Sequence, residues 1–457
     1  MAASLGDTSL ADIHHEGLDQ LLNDLANVYP TSPGQQQPLL GVPVIDALLE
    51  VFMQRLPGMS IETERQLNDT ALPEQIVTED EEVLLRHENL DDETAAPGDR
   101  PAQVGRDSSN VFISSSTPRH KRPSPVVEIS SSLSGAGKTQ LLYYMTARAI
   151  LPRNYGGISI GGLEAAMVWM DADDRFDVYR LKCVARELLR QARESTDEDI
   201  LDEDTEFFSD AQLAELLTSS IQHVHVFRPQ SSTALLATLC TLDKYLYDLS
   251  RHHSASRPLH MLVIDSVTAY LWKDKLRDEL ARTEEIGRSR AEIDQQRALK
   301  QTFHLSDLYA EIVNDLKRLQ GRFGCAVIYT TTVSSGRPSA SNTGQSGPPG
   351  PYDRLPSKTP SLRPALPAPW GTFPILRLVV HRDAVRPFPP AMSAHDARRD
   401  ASMRQSVVRQ GKFSAWVNAW GREEWPRRVI DGVNWYNGGC FPFYVRATGV
   451  EIPQPDN

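Results

Sequence analysis

Cysteine is scarce in this chain: Cys183, Cys240, Cys325 and Cys440 are the four among 457 residues. No two are close enough in sequence to form a zinc knuckle or a redox pair. Their apolar neighbours predict buried, reduced thiols of an intracellular protein. Long apolar runs are also lacking. No stretch approaches the ~20 apolar residues of a membrane span, and the first residues carry no secretory h-region. These absences predict a soluble protein with no membrane association. Positive charge is in deficit too, with 48 Lys and Arg against 60 Asp and Glu and a formal net charge of -12. The molecule as a whole therefore does not attract polyanions. Any contact with DNA requires a local basic patch or a partner.

Proline, by contrast, is plentiful and clustered, with 31 residues that divide the chain into blocks. Residues 1–57 contain two short amphipathic patterns. One lies around Leu18, Leu21 and Leu22; the other spans 43–52, with Ile45, Leu48, Leu49 and Phe52 at helical spacing. Residues 58–124 are rich in Glu, Asp, Ser and Pro without lasting periodicity, which reads as a disordered linker. Over 125–333 short β-branched runs alternate with helical patterns, the signature of a parallel α/β sheet. The strand-like runs are 126–129, 166–170, 223–227, 260–264 and 326–329. The helical ones are 139–150, 178–193, 233–249 and 306–322, with a charged segment at 273–300 that is helical in part. Residues 334–370 form a second low-complexity stretch, and 371–457 return to strand-like runs. The absence of helical patterns between those last runs predicts an antiparallel extension of the sheet that completes the core.

The strongest local signal is Ser134-Gly135-Ala136-Gly137-Lys138-Thr139, between a strand and a helix. A phosphate-binding loop needs small residues so that successive backbone N–H groups can point inward at phosphate oxygens. It needs a lysine for the β- and γ-phosphates and a hydroxyl on the first helical turn for Mg2+. The helix N-terminus adds about half a positive charge at the same place. One element departs from the full pattern: Ser132 stands where a glycine is usual, and serine is strained there if φ is positive.

The second signal is Met261-Leu262-Val263-Ile264-Asp265-Ser266. A carboxylate at the end of a buried strand is costly unless it binds something. Beside a phosphate loop, Asp265 would join Thr139 in the magnesium shell. The third is Trp169-Met170-Asp171-Ala172-Asp173-Asp174, also at a strand end. These carboxylates either polarise a water or bind metal, or they form an acidic turn that caps the next helix. Trp169, Phe176 and Tyr179 read as core or nucleotide-facing filler.

The order of phosphate loop, Leu141-Leu142-Tyr143-Tyr144 helix, strand ending in Asp171-Ala172-Asp173, and Leu262-Val263-Ile264-Asp265-Ser266 resembles the RecA-type recombinases of eukaryotes. The upstream run from Leu40 to Leu49 resembles that family's lead-in segment. The run Thr146-Ala147-Arg148-Ala149-Ile150-Leu151-Pro152 and the later Ala269-Tyr270-Leu271-Trp272 are similar to the paralogue branch of the family. The resemblance covers about 126–333. It implies a RecA-like core binding ATP and Mg2+, a place among other recombinase paralogue subunits, homologous-recombination repair, DNA reached through the complex, and the nucleus.

Three departures from active recombinases bear on catalysis. Asp173, the candidate catalytic position, replaces a glutamate; Thr330-Thr331-Thr332-Val333 lacks a γ-phosphate-sensing glutamine; Asp177 stands where an adenine-packing arginine is usual. The second DNA-binding loop is replaced by the stretch from 334, which is poor in aromatic and basic residues. Binding of ATP with weak or absent turnover is the expectation. A DNA-dependent strand-exchange ATPase and a P-loop small-molecule kinase are the alternatives. Three Phe-x-x-Ala matches, at Phe208, Phe323 and Phe388, specify too little to carry weight. Arg119-His120-Lys121-Arg122 reads either as a nuclear localisation signal or as an ordinary basic patch.

Overall fold

The computed structural model describes residues 38–53, 124–195, 209–299, 302–333, 361–383, 388 and 391–453. The pattern around Leu18, the linker to residue 123, the basic run at 119–122, Phe208 and residues 334–360 lie outside them. The described residues all belong to one compact unit, 1–53 with 123–457.

Its centre is a nine-stranded sheet built on β1 (Val126–Ser131). On one side of β1 lie β7 (Ala326–Thr332), β6 (Leu259–Asp265), β4 (Ala166–Asp171) and β5 (Val224–Phe227), all parallel to it. On the other side β8 (Leu376–Arg382) is parallel to β1. Beyond β8, β9 (Lys412–Val417), β10 (Cys440–Val445) and β11 (Val450–Glu451) continue antiparallel. A small separate hairpin pairs β2 (Asn154–Tyr155) with β3 (Ile158–Ser159).

The two-residue period of a strand explains the two cores. Val127, Ile129, Met167, Trp169, Met261 and Val263 face one layer, while Val126, Val168, Met170, Leu262 and Ile264 face the other. The first layer is covered by α1 (Pro43–Met53), α2 (Lys138–Ile150), α3 (Val178–Glu194) and α4 (Asp210–Ile221). The second is covered by α5 (Ser232–Tyr247), α6 (Leu271–Glu284) and α8 (Leu305–Phe323), with α7 (Arg290–Ala298) between the last two in sequence. Strands buried on both faces read as near-continuous apolar runs, as a parallel sheet requires. In α2 the residues from Leu141 to Ala147 are all buried, which makes it a core helix rather than an amphipathic one. Tyr143 stacks on Trp169 at 5.2 Å, and Phe176 meets Trp169 edge-on at 5.0 Å.

Residues 38–53 belong to this core despite their distance in sequence. Ile45, Leu48 and Leu49 are fully buried. Asp46 accepts from the amides of Leu40 and Gly41 at 2.7 and 3.0 Å, and burial pushes its carboxyl up to about 6. Phe52 meets Trp425 edge-on, beside α10 (Arg427–Trp435). Leu366 and Trp370, from the end of the stretch read as low complexity, are also buried.

Four local expectations are corrected. Helices do occur between the last strands: α9 (Ala394–Gln410) and α10. α9 buries no residue, so no apolar stripe announces it; Ser393 caps its start and Gly411, at φ +61°, ends it. α4 was not anticipated, and it begins in a capping box between Ser209 and Gln212. Of the cysteines only Cys325 is buried; Cys240 is exposed on α5, one position past the inward-facing Leu239, with its thiol on Asp315 at 2.8 Å. Tyr179 is not a core residue, being 78 % exposed.

Candidate functional site

The parallel strands end together at one edge of the sheet, and the sequence places its polar residues there. β1 ends at Ser131, and the loop to α2 follows. Gly137 closes the loop at φ +96°, a conformation that suits glycine, and α2 begins at Lys138. Ser132 is not strained: the non-glycine residues with positive φ among those described are Glu164, Asp174 and Asn437. Lys138 is buried, and its ammonium donates to Ser131 Oγ at 2.6 Å and Thr332 Oγ1 at 3.2 Å. The Thr139 hydroxyl donates to Asp265 Oδ2 at 2.7 Å. Ser134 Oγ accepts from Arg175 Nη1 at 3.4 Å. Ala136 is buried, and a side chain at Gly135 would meet open space.

Strand β7 supplies a row of hydroxyls. Thr330 donates to Asp265 Oδ1, Thr331 donates to buried Glu128 at 2.9 Å, and Thr332 accepts from Lys138. Glu128 is also paired with Arg377 of β8 at 3.2 Å. The run Thr330-Thr331-Thr332 thus ties the polar edge together, although it lacks a glutamine.

Burial holds the Lys138 ammonium below its ordinary pKa, against the opposing pull of Asp265 and Asp173. The Asp173 carboxyl is raised, first by desolvation and then by the negative charge of Asp265. The Asp173 amide donates to the Asp265 carbonyl at 3.2 Å, which fixes its backbone beside the loop. An anion placed among Lys138, Arg175 and the α2 N-terminus would relieve the cost of burying a cation.

The acidic turn separates into different roles. Asp171 accepts from the amides of Arg175 and Phe176 at 2.9 and 3.0 Å, and lies 3.4 Å from Arg228. It is a turn-capping residue with its oxygens engaged. Asp174 pairs with Arg228 at 3.2 Å. Asp177 caps α3 by accepting from the Tyr179 amide. Arg175 and Arg228 escaped the sequence reading, which gave Arg180 no role beyond the family resemblance. Arg180 donates to Gln140 at 2.7 Å and to the carbonyls of Arg446, Ala447 and Gly449, joining the start of α2 to the turn after β10. Arg175 follows Asp174 and Arg180 lies three residues after Asp177, but Arg228 has no carboxylate near it in sequence, and the loop or turn each one reaches was not visible.

Gly137 offers a test of the loop's geometry. A Cβ there would lie 2.8 Å from Phe413 Cδ1 and 3.1 Å from Phe443 Cζ, in addition to the positive φ. Gly137→Ala is expected to lose about 1–2 kcal/mol from backbone strain alone. Thermal melting with and without nucleotide checks it: an unchanged midpoint in both would count against this loop geometry.

No family model matches the chain. It is 27% identical over 294 residues to the DNA repair protein XRCC2 homolog of Arabidopsis thaliana, covering 58% of this chain and 72% of that protein. It is 31% identical over 143 residues to the DNA repair protein XRCC2 of Mus musculus, covering 31% and 40% respectively. With the DNA repair and recombination protein RadA of Halobacterium salinarum it shares 29% identity over 213 residues, 44% of this chain and half of that protein. At this modest identity, the matches to XRCC2 and RadA proteins support a RecA-like paralogue close to XRCC2. The mainly parallel sheet, with its antiparallel extension, is the RecA-like α/β core expected from the sequence. The alignments span less than half of the mouse protein and half of the archaeal one.

Proposed function

We propose that this chain is an ATP-binding subunit of a recombinase-paralogue complex in homologous-recombination repair of DNA double-strand breaks, acting in the nucleus with little or no turnover of its own. The observation that carries the nucleotide part is the meeting of Thr139 and Asp265 at 2.7 Å beside buried Lys138. The similarity to DNA repair proteins supports the cellular role.

The residues fit ATP and Mg2+. A hydroxyl and a carboxylate oxygen side by side are hard donors of the kind Mg2+ takes, and nucleotide phosphates and waters supply its remaining ligands. Bound there, the ion would neutralise charge on the phosphates. In this reading the backbone N–H groups from Ser134 to Thr139 cradle the polyphosphate, and Lys138 leaves Thr332 for it. Thr139 and Asp265 hold the ion, and Thr330 orients Asp265 through its second oxygen. Asp171 caps a turn, Asp174 pairs with Arg228 and Asp265 meets Thr139, whereas Asp173 has none of these commitments.

The chain is expected to bind ATP, to associate with another recombinase paralogue, and to reach DNA chiefly through that complex. Phosphate release by the purified chain, with and without single-stranded DNA, tests the reading together with co-purification from cells expressing a second paralogue. A monomeric chain that turns ATP over robustly when DNA is added would return the protein to the motor class.

A further inference from the structure

Helix α9 has no buried residue and is inserted between the paired strands β8 and β9. A 17-residue helix with no core contact is stable only when something else holds or uses its surface. Two of its four arginines, Arg398 and Arg409, share one face. Arg398, Ser402, Gln405 and Arg409 recur at i, i+4, i+7 and i+11, so they lie along one face, all exposed. The opposite face carries Asp396, Asp400, Met403 and Val407. From Arg398 to Arg409 this polar track runs about 16 Å.

The track leads into a cleft. Arg409 at its end lines a cavity of about 510 Å³ together with Arg382, Arg446 and Phe413. The Arg382 guanidinium lies over the Phe413 ring. Phe413 is also the ring that a Cβ at Gly137 would strike, so the cleft borders the proposed nucleotide loop. Arg382, Arg398 and Arg409 pair with no carboxylate among the described residues. Over 382–412 the sequence has seven Lys and Arg against three Asp and Glu. The chain's net charge of -12 conceals this, because residues 61–100 alone have thirteen Asp and Glu against three Arg.

We propose that the α9 track and the arginine cleft bind the phosphate backbone of a single-stranded nucleic acid. A single row of guanidinium and hydroxyl or amide groups matches one backbone, whereas a duplex presents two. Phe388, an exposed ring with the Arg404 guanidinium 4.0 Å from its centroid, offers the aromatic platform on which single strands are held without sequence preference. Only the choice of nucleic acid among polyanions draws on the proposed repair role. The described hydrogen bonds of Lys138, Thr139 and Asp265 go to Ser131, Thr332, Thr330 and one another and none to α9, so failure of the nucleotide reading and failure of this one are separable.

The test uses the full chain, a fluorescent oligothymidine and anisotropy at two salt concentrations. Binding alone is weak, and neutralising about four phosphates makes it fall about fiftyfold between 50 and 200 mM salt. The double variant Arg398→Glu, Arg409→Glu is expected to bind at least about tenfold more weakly at low salt and with a shallower salt slope. Its melting temperature and ATP affinity should be those of the parent, because neither residue is buried, and Arg398→Lys, Arg409→Lys should retain binding. No binding by the parent at 50 mM salt, or equal binding by parent and double variant, would overturn the proposal. So would a double variant that keeps oligonucleotide binding but loses its paralogue partner, which would assign α9 to protein docking instead.

Discussion

Replacing Lys138 with alanine is expected to lower ATP affinity at least tenfold while leaving the fold intact. The ammonium contacts Ser131 Oγ and Thr332 Oγ1. Neither hydroxyl is stranded by its loss, since Ser131 still donates to the Leu133 carbonyl and Thr332 is exposed. The substitution also removes a cation whose burial is unfavourable, as its lowered pKa records. Stability of the free chain should therefore change little. Binding is another matter. A charge-assisted hydrogen bond contributes about 1.5–3 kcal/mol, so losing even one to a phosphate costs between about tenfold and about a hundredfold in affinity. Titration calorimetry with ATP and Mg2+, alongside a thermal melt, separates the two effects. Equal affinity in variant and parent would sink the assignment of residues 134–139 to phosphate.

Much of this architecture is legible in the residues. β1 and the four strands on its β7 side announce themselves as short apolar runs, and α3, α5 and α8 by their helical patterns. Lys138, Thr139 and Asp265 could be named because a loop–helix junction and a strand end put side chains at predictable places. What could not be read depends on tertiary placement. The insertion of β8 beside β1 brings Arg377 to Glu128, residues 249 apart in sequence, and no local pattern encodes that neighbour. α1 seats its Val51 against Gly432 of α10, where a Cβ would lie 2.6 Å from Val51 Cγ1. α9 escaped because periodicity detects helices only through the apolar face they bury, and this one buries none. The same blind spot hid its basic face, since net charge averages over a chain whose acidic residues are concentrated elsewhere.

The parent protein is expected to hydrolyse ATP at least about a hundredfold more slowly than an active recombinase assayed beside it, and Asp173→Glu alone should not restore a DNA-stimulated rate. Basicity is not what Asp173 lacks. Desolvation and the neighbouring Asp265 raise its carboxyl above the usual range, which favours proton acceptance. Reach is what it lacks. Its backbone is tethered to the Asp265 carbonyl at 3.2 Å, so the carboxyl cannot advance by moving the chain. An aspartate is shorter than a glutamate by one methylene, about 1.5 Å. A misplacement of that order is enough for the loss of rate when every group is otherwise present. Lengthening the side chain corrects one deficit and leaves a second. The β7 edge presents Thr330 and Thr331, whose hydroxyls are committed to Asp265 and Glu128, and Thr332, which Lys138 bonds in the free chain and leaves for the nucleotide. None extends beyond the strand as a glutamine amide would. Nucleotide binding is insulated from both deficits, because Lys138, Thr139 and Asp265 keep their positions in the variant. Phosphate release and ATP affinity, measured in parent and Asp173→Glu with and without single-stranded DNA, check this. Strong DNA-stimulated release by the parent would overturn the adaptor reading; recovery by Asp173→Glu alone would show that the β7 threonines already suffice to sense the γ-phosphate.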